Sequence, residues 1–115
     1  GALAIGLSDK ILCLENTWYS VISPEGCASI LFRDSGKANE AADAMKVTSK
    51  DLLDMGIADK IIDEPNGAAH IDPISTSKQI KKEIFKVYND IKDISSSDLI
   101  SQRMDKYNNI GEWVA

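Results

Sequence analysis

The chain has 115 residues, 43% of them hydrophobic and 27% charged, the composition of one small globular domain or of a part of one. Thirteen basic residues against 18 acidic ones leave a net charge of −5, so the basic footprint that grips phosphate backbones is missing and nucleic acid is not an expected partner. No apolar run approaches the roughly 18 residues that span a bilayer, and the opening stretch lacks the basic flank of a signal peptide.

The first six residues, Gly1-Ala2-Leu3-Ala4-Ile5-Gly6, are small and apolar and would let a helix start close against another backbone. A start at Gly1 rather than Met points to a processed chain or a fragment. Ser8-Asp9 reads as a turn. Lys10–Glu15 and Trp18–Ile22 are short runs of branched and aromatic residues between polar ones, which predicts two strands. Ser23-Pro24-Glu25 is a helix start: a capping hydroxyl, proline at the first helical position and an acid in the first turn. That helix is predicted to run to about Arg33, with Asp34-Ser35-Gly36 ending it. Ala38, Ala41, Ala42 and Met45 share one face of a second helix, and its small residues predict close packing.

Thr48 and Asp51 have capping-box spacing before a short helix through Leu52 and Leu53, and Gly56 is placed to stop it in the left-handed conformation. Ile57–Ile62 is predicted to be a strand, Asp63–Gly67 a turn and Ala68–Pro73 a loop. Thr76 and Gln79 have capping-box spacing too. After them, Ile80, Ile84, Val87, Tyr88, Ile91 and Ile94 form an apolar stripe, expected to pack on its own domain. Ser95-Ser96-Ser97 interrupts it, and a final helix carries Leu99, Ile100, Met104 and Tyr107 to about Asn108. The whole reads as one α/β unit over residues 1–115 with a helical tail over 76–110.

Side-chain chemistry is sparse. Cys13 and Cys27 make no disulfide scaffold, and with the single histidine they cannot build a zinc site; both are expected to be buried thiols. His70 is the natural acid–base candidate, but it has no partner at a known spacing and is expected to order its loop. Ser20, Ser23 and Ser29 sit in no nucleophile elbow. Glu15, Glu25 and Glu64 are too far apart in sequence to read as a catalytic pair. Arg33, Lys37, Lys46 and Lys50 could meet an anion, although a solvated face is the favoured account of them.

Three segments then carry a resemblance. Thr17–Leu31, reading Thr-Trp-Tyr-Ser-Val-Ile-Ser-Pro-Glu-Gly-Cys-Ala-Ser-Ile-Leu, resembles the hallmark of the α subunit of the bacterial and plastid acetyl-CoA carboxylase carboxyltransferase. Gly1–Gly6 is similar to the end of that family's Gly-Gly-Ala-Leu-Ala segment, and Glu64–His70 to its Glu-Pro-x-Gly-Gly-Ala-His motif. The likeness covers nearly the whole chain and corresponds to about the last third of such a subunit. Ala68 stands where the family usually has its second glycine; a positive φ there would strain an alanine. Glu112-Trp113-Val114-Ala115 does not align.

The resemblance implies an α/β crotonase-like fold, a spiral of β-β-α units, present here as its C-terminal part. It implies transfer of a carboxyl group from carboxybiotin, held on a biotin carboxyl carrier protein, to acetyl-CoA, giving malonyl-CoA for fatty-acid synthesis. The partners it implies are a zinc-ribbon-bearing β subunit in an α2β2 assembly, the carrier protein and an ATP-consuming biotin carboxylase. The place is the bacterial cytoplasm or plastid stroma, with no metal, DNA or membrane for this chain. Gly1 matches the second glycine of the pair and would supply a backbone oxyanion donor, while Trp18–Leu31 would orient that turn and shape the biotin-side wall. A hydratase-type acyl-CoA enzyme, or a non-catalytic assembly segment docking through its Ile80–Ile94 stripe, are the alternatives.

Overall fold

A computed structural model describes residues 1–111; Glu112–Ala115, the stretch expected not to align, lies outside the described residues. The elements are α1 (Ala2–Gly6), β1 (Leu12–Leu14), α2 (Pro24–Leu31), α3 (Ala38–Met45), α4 (Ser49–Asp54), β2 (Lys60–Ile62), α5 (Pro73–Ile91) and α6 (Ser96–Asn108). Single 3-10 turns stand at Ser35–Lys37 and Pro65–Gly67. The two strands pair in parallel, Leu12 opposite Lys60 and Leu14 opposite Ile62, with α2, α3 and α4 in the crossover between them. This is mixed helix and strand, as the α/β reading expects.

The helix starts obey their sequence signals. The Ser23 hydroxyl accepts from the Gly26 N–H, with Pro24 in the first turn of α2. Thr48 and Asp51 form both bonds of the capping box. Gly56, at φ +72°, ends the turn after α4 in the left-handed region. Ala28 of α2 and Ala41 of α3 are wholly buried, so the small-residue face brings these helices together as expected.

Three expectations need correction. Trp18–Ile22 is not a strand: only Trp18 pairs, through one antiparallel bridge to Thr48. The Ser20 hydroxyl donates to the Ile22 carbonyl at 2.6 Å and accepts from the Ile22 N–H at 3.3 Å, a local turn that competes with a ladder. The second strand is shortened to Lys60–Ile62, because the N–H groups of Ile57 and Ala58 both donate to the Leu52 carbonyl and close α4 instead. Finally, the long helix starts at Pro73, not at Thr76. Asp72 caps it by accepting from the Ser75 N–H at 3.0 Å, and Asp-Pro is the stronger start because proline has no N–H to leave unpaired. Thr76 is buried one turn inside, its hydroxyl bonded to the Asp72 carbonyl at 2.9 Å.

The core is small. Ile11, Cys13, Leu52 and Ala58 form it, with Tyr19 and Ile57 packed alongside. Burial pushes the Cys13 thiol up, which leaves it unreactive; Cys27 is only half-buried, contrary to expectation. The α5 stripe is split: Ile80, Val87, Ile91 and Ile94 are half-buried, whereas Ile84 and Tyr88 face solvent. The radius of gyration is 16.7 Å, against about 13 Å for a compact chain of this length. Large apolar side chains stand exposed, among them Val21, Ile30, Leu31 and Ile84.

Tyr19 ties α1 to this body. Its hydroxyl donates to the Ala2 carbonyl, and a Cβ on Gly6 would stand 2.8 Å from the same hydroxyl. Gly6→Ala is expected to displace the hydroxyl and lower stability by about 1 kcal/mol, read as a lower urea midpoint at unchanged slope in the intact subunit. An unchanged midpoint would show that the close approach is not needed.

Candidate functional site

In open parallel sheets, ligands gather beyond the carboxyl ends of the strands. Here β1 runs into Glu15–Ile22 and β2 into Asp63–Ile71, so two of the three motif segments leave the same edge side by side. The parallel register carries on past the strands: the Glu15 N–H donates to the Ile62 carbonyl at 3.0 Å.

Glu64 holds the two loops together. It is only 9% exposed. Its Oε1 accepts from the Asn16 N–H at 2.9 Å and its Oε2 from the Ala69 N–H at 2.6 Å. Bonds return across the gap, from Asn16 Nδ2 to the Gly67 carbonyl at 3.1 Å and from the Glu64 N–H to Glu15 Oε2 at 3.2 Å. The Asn16 N–H foremost, with the Ala69 N–H, holds the Glu64 carboxyl below its usual range against the opposing effect of burial. A carboxylate so occupied serves as an anchor, not as a general acid.

The sequence separates Glu15 from Glu64, and the structure brings them into contact; the missing signal was the strand pairing, which sets a constant offset between the loops. His70, expected to order the loop, is exposed, and the ordering bonds come from Glu64 and Asn16. Ala68 carries no strain: it is extended at φ −160°, and the positive φ values fall on Asn66 (+60°) and Gly67 (+89°).

A cleft of about 300 Å³ opens beside the first loop, lined by Glu15, Asn16, Thr17, Trp18, Val47 and Thr48. Trp18, 60% exposed, supplies an aromatic wall. The opening segment is bonded to the same region through Tyr19 and Ala2, and Gly1 caps α1, its carbonyl accepting from the Ile5 N–H at 3.2 Å. In chain order, the first two motif segments are thus joined by a hydrogen bond, and the third is bonded to Glu15 and Asn16, the residues just before the second.

The other candidates do not converge on it. The hydroxyls of Ser20, Ser23 and Ser29 are engaged with nearby backbone, and Glu25 lies in the first turn of α2. Lys37 lies over the Phe32 ring at 5.5 Å, and Arg33, Lys46 and Lys50 are exposed at separate helix ends. Among the described residues no group of three or more metal-binding side chains comes together, and no helix is long and apolar enough to cross a membrane.

Residues 1–111 match the model of the acetyl co-enzyme A carboxylase carboxyltransferase-like family. The chain belongs to that family. It is 50% identical over 113 residues to the acetyl-coenzyme A carboxylase carboxyl transferase subunit alpha of Flavobacterium psychrophilum, covering 98% of this chain and 36% of the relative. Over 111 residues it is 50% identical to the same subunit of Clostridium botulinum, covering 96% of this chain and 40% of the relative. The Desulfitobacterium hafniense subunit is 49% identical over 113 residues, with 98% and 35% covered. The chain thus spans a little over a third of the length of these relatives.

Proposed function

We propose that this chain is the C-terminal portion of a carboxyltransferase α subunit that works with a β subunit to move a carboxyl group from carboxybiotin to acetyl-CoA, yielding malonyl-CoA for fatty-acid synthesis. The observation that supports the reading is that the three family motifs lie together: Tyr19 is bonded to Ala2, and the Glu64–His70 loop is bonded to Glu15 and Asn16, immediately before the Thr17–Leu31 motif. The crotonase-like spiral is part of the same proposal: among the described residues, a parallel pair with uncovered apolar helices fits one segment of such a layered fold.

The reaction develops negative charge on oxygen, first as the acetyl methyl loses a proton and again as biotin gives up CO₂. Pre-aimed main-chain N–H groups stabilise such charge without an ionisable side chain. Gly1 is the donor we assign in this chain, on a turn held by Tyr19. The biotin ring, presented by the carrier protein, fits the Trp18 cleft, which combines an aromatic wall with polar backbone at the lower end of ligand-site volumes. What the chain contributes is position: Trp18 packs against the ring, Glu64 and Asn16 hold that wall, and Tyr19 holds the donor turn. The biotin carboxylase, using ATP, recharges the carrier elsewhere, in the cytoplasm or plastid stroma.

The hydratase alternative requires glutamates free for acid–base work. Glu64 is committed to two amides, which counts against it. Malonyl-CoA formation by the intact subunit, reconstituted with its β partner and carboxybiotin, is the expected result. No transfer, or turnover of crotonyl-CoA in its place, overturns the proposal.

A further inference from the structure

We propose that Glu64 is a positioning residue that sets the biotin-side wall of the site, an inference that rests on the carboxyltransferase reading. The carboxylate is nearly buried, and each of its oxygens takes a main-chain N–H from a different loop. One oxygen fixes Asn16, two residues before Trp18; the other fixes Ala69, at the far end of the loop that follows β2. Neither loop is held by a strand ladder there. The second turns through two residues of positive φ, Asn66 and Gly67, residue types that adopt it readily. Trp18 itself is anchored on its other side by the bridge to Thr48. The Asn16 bond fixes the chain two residues before the exposed indole, alongside the bonds from the Thr17 N–H to the Leu14 carbonyl at 3.0 Å and from the Tyr19 N–H to the Val47 carbonyl at 3.2 Å.

Glutamine has the same shape but one acceptor oxygen in place of two. In Glu64→Gln its NH₂ must face one of two backbone N–H groups, donor against donor, so one loop is released while the packing stays. The bonds of the clamp reach the Trp18 wall and stop there. The tie between Tyr19 and α1 is separate from it. A loosened clamp should weaken the biotin side selectively, whereas a general loss of folded enzyme lowers kcat and leaves both KM values alone.

The experiment is the malonyl-CoA-dependent carboxylation of free biotin by the intact subunit assembled with its β partner. Glu64→Gln is expected to raise KM for biotin about tenfold, the size of one charge-assisted hydrogen bond, and to leave KM for malonyl-CoA unchanged. Asn16→Ala, which removes the Nδ2 bond to Gly67 and keeps the Asn16 N–H on Glu64, is expected to act in the same direction with a smaller effect, and decides the matter if Glu64→Gln does not assemble. Unchanged biotin KM in the variants, a fall in kcat alone, or an equal rise in both KM values overturns the positioning role while wild-type transfer stands. Absence of transfer by the wild type overturns the functional reading, and this inference with it.

Discussion

Replacing Gly1 by proline in the intact subunit is expected to lower carboxyl transfer by about 10²–10³-fold, the effect of removing one oxyanion donor. Proline has no N–H, yet its φ suits the first turn of a helix, so α1 should still form. Gly1 caps that helix, and a Cβ placed on it would meet nothing within 4 Å. Gly1→Ala is therefore a fold-neutral control that keeps the donor. It should act through KM, by crowding the approaching substrate, with a far smaller change in kcat. Malonyl-CoA output from Gly1→Pro equal to that of the wild type would remove the main-chain donor from the mechanism.

A second large effect concerns the helical tail. Asp59 joins three elements: its carboxylate accepts from the Ile11 N–H at 2.8 Å, from Lys10 at 3.2 Å and from Lys106 of α6 at 2.6 Å. Arg103 of the same helix pairs with Asp9 at 2.8 Å. These ion pairs fasten α6 to the strand layer. Asp59→Ala strands the N–H of the buried Ile11 as well as Lys106, and is expected to cost about 2 kcal/mol after screening of the partly exposed charges, measured by urea unfolding and by faster hydrogen exchange in α6. A variant as stable as wild type, with α6 equally protected, contradicts the assignment.

The same carboxylate links stability to pH. Burial pushes the Asp59 carboxyl up, but hydrogen bonds from Lys106, Ile11 and Lys10 outweigh it and hold the group below its ordinary value of 3.8. A carboxylate lowered on folding contributes fully above that ordinary value and loses its contribution as pH falls through the lower folded value. The stability difference between wild type and Asp59→Ala should therefore be complete near neutrality and shrink only under acid conditions, below about pH 4.

Helix starts were legible because a cap is chemistry between residues three apart. Ser23, Thr48 and Asp51 formed the bonds their spacing predicts. Thr76 misled because two start signals overlap, and Asp72-Pro73 lies upstream of it. Trp18–Ile22 misled in the opposite way: strand-forming composition was overridden by the Ser20 hydroxyl, which made a turn with Ile22. His70 drew attention as the single histidine, whereas the loop is ordered by Glu64, whose partners lie across the sheet.

By itself the amino-acid sequence determined the helix starts at Ser23 and Thr48, strands around Leu12–Leu14 and Lys60–Ile62, the three family motifs and the shortage of reactive side chains, because each of these is written in neighbouring residues. Only the tertiary structure decided that the motifs meet. Parallel pairing of β1 with β2 sets Glu15 and Asn16 beside Glu64, and Tyr19 reaches back to Ala2. The physical reason is that a strand register and a buried carboxylate join residues far apart in the chain, and no local spacing encodes which distant N–H an oxygen will accept.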